Sequence, residues 1–169
     1  MVLHKAVGVD QIPSRNLDLP VLSSVKWGMQ IDEARAILNG SHHLRSGTDT
    51  TLVYRENVHD GQAWITLQFP KPRGKLSLVK ISFEKPSRDL LATTLHHLKA
   101  RYGQQFNLQR KEEKKFFMTV VMEVWDWRVE EGQVLLTGFF NGENPLALMI
   151  VYAPPRNRSE TGLKKQEKR

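Results

Sequence analysis

Cysteine is absent from all 169 residues. This absence excludes disulfide bonds, a thiol nucleophile and a cysteine-ligated zinc site. Long apolar runs are absent too, since the longest, residues 146–153, is far too short to cross a bilayer. Residues 1–24 contain no basic start followed by an unbroken apolar segment, so no signal peptide is recognisable. The sequence therefore predicts a cytoplasmic protein by default, or a bacterial envelope protein if an export signal has been removed.

The positive charge of the chain is concentrated near its end. The net charge is +7, but residues 155–169 contain six of the 25 basic and two of the 18 acidic residues. The other residues hold 19 basic and 16 acidic side chains, a net charge of +3. A segment with so few apolar residues cannot bury enough surface to fold, so we predict a disordered basic tail. It is either a solubilising tail or an electrostatic arm for phosphates or anionic surfaces.

The first half of the body predicts a helix followed by three strands. Residues 1–23 read as an extended lead-in, with a possible edge strand at 17–22. Ile31, Ala34, Ile37 and Leu38 recur at helical spacing, and Asn39-Gly40 supplies the stop. A polar loop is expected over residues 41–50. Alternating apolar residues then predict strands at 52–55, 63–69 and 76–83, joined by hairpin turns.

The second half repeats this order. Ser87 is the expected N-cap of a helix that ends at Gly103. The charged residues 104–115 are expected to be looped or weakly paired, and strands are predicted at 116–129, 134–140 and 146–152. The fold class is therefore α+β, with two helix-plus-three-strand antiparallel units whose helices cover one face of the sheet. The units are residues 24–85 and 86–154. One highly curved sheet wrapped around the second helix is the alternative.

The letters "KWGM", "QIDEARAIL" and "LVKISF" resemble a unit of small bacterial envelope proteins, in which a Trp-Gly-Met start opens a helix before an antiparallel sheet. These relatives are the small outer-membrane-assembly lipoproteins and the β-lactamase-inhibitor-protein-like group. "HLKARYG", "VWDW", "VLLTGFF" and "LALMIVYA" resemble the companion unit of two-unit members. Gln30 departs from the usual hydroxyl cap, and no lipid-attachment cysteine is present. The resemblance implies a module that binds other proteins.

Catalytic and metal-binding signals are few. His96 and His97 are adjacent, so on a helix they point about 100° apart and cannot chelate one metal ion together. Metal binding by His42, His43 or His59 would need partners that no spacing rule supplies. No metal site and no cofactor are therefore predicted. Glu123 and Asp126 flank Trp125 on an apolar strand, where a carboxylate either acts as a general acid or base or faces solvent.

The aromatic residues supply the candidate binding site. Trp125 and Trp127 share one face of the long strand, and Met118, Val120, Met122 and Val124 share the other. If the methionine and valine face lies against the helices, both tryptophans lie on the open side of the sheet. The predicted partner-binding residues are Trp64, Trp125, Trp127, Tyr54 and Arg128, a composition typical of protein-binding hot spots. Alternatively, the tryptophans are covered by the N-terminal segment or by the second unit.

Three functions follow from these patterns. The first is a non-enzymatic module that presents an aromatic sheet face to a partner protein. The second is a nucleic-acid or anionic-surface binder that uses the tail with Lys71, Arg73, Lys75, Lys114 and Lys115. The third is an enzyme built around Glu123 or Asp126, which would need a deep pocket. The sequence favours the first, with no enzyme activity, and does not indicate the oligomeric state.

Overall fold

The computed structural model of the chain describes residues 24–40, 44–115, 117–130 and 132–154, which form two α-helices and eight β-strands. The predicted lead-in of residues 1–23, with its edge strand at 17–22, and the predicted tail of residues 155–169 lie outside the described residues. In chain order the elements are α1 (Ile31–Gly40), β1 (Leu44–Gly47), β2 (Thr51–Val58), β3 (Gly61–Gln68), β4 (Leu78–Phe83), α2 (Arg88–Tyr102), β5 (Asn107–Lys115), β6 (Met118–Val129), β7 (Gly132–Asn141) and β8 (Asn144–Ala153).

All eight strands form one antiparallel sheet in the order β1-β2-β3-β4-β8-β7-β6-β5. The predicted α+β class with an antiparallel sheet is therefore confirmed. The predicted count of three strands after each helix is wrong, because four strands follow α1 and four follow α2. The last strand of each set, β4 and β8, pair with each other in the middle of the sheet.

Both additional strands lie in stretches for which the sequence predicts a loop (residues 41–50) or a looped or weakly paired segment (residues 104–115). β1 falls within residues 41–50, and β5 falls within residues 104–115. β5 is paired with β6 along its whole length although its side chains are mostly charged. Because the backbone of an apolar strand such as β6 needs hydrogen-bond partners on both sides, tertiary pairing overrides the weak strand propensity of β5. A charged edge strand also discourages pairing with another chain.

The backbone conformation of Gly28 and a hydrogen bond at Gln30 define the start of α1. Gly28 has a φ of +80°, a conformation that favours glycine. The Gln30 N–H donates to the Glu33 carboxylate at 3.0 Å, so Glu33 makes its half of a capping box even without a hydroxyl at the cap. The Met29 carbonyl accepts a hydrogen bond from the Leu76 N–H at 2.8 Å. The Trp-Gly-Met segment thus ties the start of α1 to the β3–β4 loop.

Turn and cap residues also place the other elements. His59 and Asp60 both have positive φ, 47° and 67°, as the tight turn between β2 and β3 requires. Ser87 caps α2, because its hydroxyl oxygen accepts the Leu90 N–H at 3.1 Å. The helix ends at Gly103, whose φ is +93°. These contacts fix the register of β2 on β3 and the start and end of α2.

The sheet has one face covered by helices. Buried residues alternate with more exposed ones along the strands. The buried ones, such as Ile65, Ile81 and Leu136, belong to a single core cluster. Buried residues of α1 and α2, among them Leu38 and Leu98, belong to the same cluster. Both helices therefore lie on the same side of the sheet, which we call the covered face. The opposite side is the open face.

Candidate functional site on the open face

Trp64 lies on the open face in the first half of the sheet, in a cluster with Arg55, Gln62 and Glu84 that we call the Trp64 cluster. Trp64 on β3 stands directly opposite Arg55 on β2 and is 40% exposed. The Arg55 guanidinium carbon lies 5.8 Å from the centroid of the Trp64 ring, within cation–π range. Arg55 also donates to the Gln62 side-chain oxygen at 2.6 Å and pairs with the Glu84 carboxylate. These contacts hold Arg55 beside the Trp64 ring.

An apolar band crosses the open face in the second half of the sheet. Its side chains are partly exposed, and none of them packs into the core cluster. We define the apolar band as Met122, Val124, Leu135, Phe139, Met149 and Val151. Phe139 stands opposite Met122, and Leu135 stands opposite Val151, so the band is continuous over β6, β7 and β8. Contiguous apolar surface of this kind marks an interaction site in many proteins.

Between the Trp64 cluster and the apolar band lies one basic side chain. Lys80 on β4 pairs with Thr66 on one side and with Val151 on the other. It is partly exposed, and no acidic side chain among the described residues forms an ion pair with it. A lysine beside apolar side chains favours a partner that brings a carboxylate to this position.

Polar residues border the apolar band at the β6 end of the face. Asp126 is only 5% exposed and accepts hydrogen bonds from Arg128 Nε at 3.2 Å and from Gln133 Nε2 at 2.9 Å. Arg128 itself is exposed. An open cleft of about 530 Å³ next to them is lined by Gln104, Gln105, Phe106, Asn107, Asp126 and Arg128. Asp126 thereby has a structural role as the acceptor that orients Arg128.

Three of the five predicted partner-binding residues are buried on the covered face. Trp125 is 6% exposed, and Trp127 and Tyr54 are 0% exposed. The Trp127 indole N–H donates to the Gly103 carbonyl at 3.0 Å, and its ring lies 5.2 Å from that of Phe106. The predicted exposure of these three side chains is wrong, because β6 turns its tryptophan face towards the helices. Trp64 and Arg128 are exposed, as predicted.

The proposed acid–base residues do not share a pocket. Glu123 lies on the covered face and is paired with Arg110 at 3.8 Å, whereas Asp126 lies on the open face. Successive strand residues alternate between faces, so residues three apart point to opposite sides. The enzyme hypothesis would have to rest on Asp126 alone in its open cleft.

The histidines and the basic residues are also separated by the fold. Within the described residues, no three His, Cys, Asp or Glu side chains converge as a metal site, and His42 and His43 lie outside those residues. Lys71, Arg73 and Lys75 lie in the β3–β4 loop. Lys114 lies near the β5–β6 turn, at the opposite end of the sheet. No helix in the described segments is long and apolar enough to cross a membrane.

The sequence did not reveal two unpaired hydroxyl groups in the core. Tyr54 Oη and Thr94 Oγ1 are buried and make no hydrogen bond with any residue that the structure describes. Burial, with a smaller contribution from the Glu56 carboxylate, raises the pKa of Tyr54 far above its ordinary value. A buried hydroxyl without a partner retains the cost of its lost hydration.

Removing either hydroxyl is therefore expected to leave the protein as stable or more stable. We expect Tyr54→Phe and Thr94→Val each to change the free energy of unfolding by about 0 to +2 kcal/mol, measured by urea denaturation. Tyr102→Phe is the contrasting control, because the Tyr102 side chain is hydrogen-bonded to Tyr152, and this variant should lose about 0.5–1.5 kcal/mol. A loss above about 1 kcal/mol in both core variants would show that both hydroxyls are hydrogen-bonded in solution.

Comparisons with known proteins found no similar protein. No protein-family model matches the sequence, and searches of curated proteins and of solved structures found no significant match.

Proposed function

We propose that this chain is a non-enzymatic protein-binding module that presents the open face of its sheet to another protein. The observation that carries the proposal is that Trp64, contacted by Arg55, and the apolar band lie on the same open face, with only β4 between them. Tryptophan and arginine dominate binding hot spots because they bury large surfaces with little loss of conformational freedom. Methionines in the band adapt their shape to a partner.

The edges of the sheet favour docking on the face over strand addition. β1 has only four residues and a register shift next to Leu44. β5 is long, but residues 109–115 include four basic and two acidic side chains. Short, irregular or charged edges are features that discourage pairing with a new strand. The partner that fits is therefore an apolar protein surface with a carboxylate opposite Lys80 and with no need for a free strand.

We also propose that the chain consists of two related units, residues 24–85 and 86–154. In support, each contains one helix and a run of antiparallel strands, and the last strands of the two runs pair with each other. A protein-binding role is also what the resemblance to two-unit envelope proteins implies. In this arrangement Trp64 belongs to the first unit and Arg128 to the second, so a partner would contact both.

The proposal is tested with surface variants of the full chain. Trp64→Ala and Leu135→Glu alter the open face, and Leu108→Glu is the matched control, because Leu108 is 51% exposed on the covered face. Proteins retained by the wild type but lost with the open-face variants are identified by mass spectrometry, and the purified partner is titrated by calorimetry. We expect Trp64→Ala to weaken binding by about 30-fold, equal to about 2 kcal/mol, and Leu135→Glu to abolish it.

The control and the stability of each variant decide how the result is interpreted. Leu108→Glu is expected to bind within about threefold of the wild type. All three variants must keep their circular dichroism spectra and melting temperatures. Equal affinity of the wild type and both open-face variants for the purified partner would refute the proposal.

Binding of nucleic acid or an anionic surface is the second candidate, and one observation favours it. The β3–β4 loop with Lys71, Arg73 and Lys75 lies at the same end of the sheet as Ala153, where β8 ends next to β4. Ala153, two residues before the predicted basic tail, therefore lies at the same end of the sheet as three basic residues of the body. A chain that ends at Pro154 separates the two candidates, because binding through the open face would persist and binding through the tail would be lost.

A further inference from the structure

Two histidines connect α2 to the first half of the sheet. His59 lies in the turn between β2 and β3, and His97 lies on α2. Their rings are stacked, with centroids 4.5 Å apart and planes 19° apart. His96 meets His97 edge-on at 6.0 Å. These contacts join elements that are separated by 38 positions in the chain.

We propose that His59 and His97 form an acid-sensitive latch that holds α2 against the β2–β3 turn. While both imidazoles are neutral, the rings stack and the apolar contact beside them stays closed. At that contact Leu90 packs so tightly that a Cβ on Gly61 would lie 2.9 Å from its methyl groups. When both rings carry a proton, two like charges lie about 4.5 Å apart and repel. The latch then opens.

The surroundings of His59 oppose its protonation. Burial, followed by the neighbouring His97, lowers its pKa, and Asp60 in the same turn acts in the opposite direction. Asp60 and His97 are the charged or titratable groups that act on His59, and His96 faces His97. Because the folded state holds the pKa of His59 down, the unfolded chain binds a proton first as pH falls. The contribution of neutral His59 to the free energy of unfolding is therefore complete well above pH 6.5, and it is lost as the pH falls below about 6.5.

The rest of α2 is held by contacts that do not titrate in this range. Arg88 at its start donates to the Glu143 carbonyl at 2.7 Å. Gly103 at its end accepts the Trp127 indole N–H. Acid should therefore loosen α2 from the β2–β3 turn while its ends stay attached to the second half of the sheet. This device is independent of the proposed binding function.

The test is the pH dependence of thermal unfolding of the full chain. The melting temperature is measured at pH 7.5 and pH 5.0 for the wild type, His59→Asn, His97→Gln and the control His96→Gln. Asparagine is chosen at position 59 because it tolerates the positive φ of His59. We expect the fall in melting temperature to be smaller by roughly 2–4 °C in His59→Asn and His97→Gln and unchanged in His96→Gln.

A second measurement reports on the histidine pair directly. The ring C–H signals of His59, followed by NMR, should titrate at higher pH in His97→Gln than in the wild type. A structural role without a latch would leave this titration unchanged. If His97→Gln shifts neither the His59 titration nor the pH dependence of unfolding, the latch does not exist.

Discussion

Replacing Trp127 by alanine is expected to remove a large part of the stability of the protein. Trp127 is fully buried, and its ring lies next to Phe106 at the junction between α2 and β5. Truncation to alanine leaves a large cavity, which costs about 3–5 kcal/mol. It also leaves the Gly103 carbonyl without the indole N–H. Since domains are stable by only about 5–15 kcal/mol, urea denaturation should show a severe loss or no folded protein.

Two further tryptophan variants separate cavity formation from other effects. Trp127→Phe keeps an aromatic ring but loses the hydrogen bond, so we expect a loss of about 1–2 kcal/mol. Trp64→Ala removes an exposed ring and should cost no more than about 1 kcal/mol. Unfolding is followed by circular dichroism, because these substitutions change the fluorescence. A similar stability of Trp127→Ala and Trp64→Ala would contradict the burial of Trp127.

The difference between these tryptophans shows where sequence reasoning fails. A period of two in β6 predicts which residues share a face, and Trp125 and Trp127 do share one. It does not predict which face meets the helices, because both faces of β6 are partly apolar. Long-range contacts decide this: Trp127 bonds to Gly103 at the end of α2. The position of Trp64 on the open face follows more directly from the sequence, because its neighbours Ala63 and Ile65 are apolar core residues.

Local signals, in contrast, were sufficient for helix starts and turns. Ser87 caps α2, and His59 and Asp60 form the β2–β3 turn, since these residues act on backbone atoms only a few positions away. β5 could not be found in this way, because its strand conformation depends on pairing with β6. One pattern in the sequence indicates the apolar band of the open face. Residues 134–140 and 146–152 carry apolar side chains on both faces, which one helical layer cannot cover.

Introducing a side chain at Gly132 is expected to cause the second large loss. Gly132 begins β7 with a φ of +139°, a backbone conformation that other residues rarely adopt. A Cβ at this position would lie 2.1 Å from the Ala153 carbonyl oxygen, a backbone atom at the end of β8. Backbone strain and overpacking each cost about 1–3 kcal/mol, so Gly132→Ala should lose about 2–6 kcal/mol in urea denaturation.

Substitutions at two other glycines test whether the close contact, and not the loss of a glycine as such, causes the loss of stability. Gly142 has a φ of +58° with no atom within 4 Å of a Cβ, so Gly142→Ala should cost only about 1–2 kcal/mol. Gly40 ends α1 without a positive φ or a close neighbour, and Gly40→Ala should be neutral or slightly stabilising. A Gly132→Ala variant no less stable than Gly142→Ala would mean that β8 does not approach the β6–β7 turn. Gln133 and Ala153, the pair at this end of the β7–β8 ladder, would then not be paired in solution.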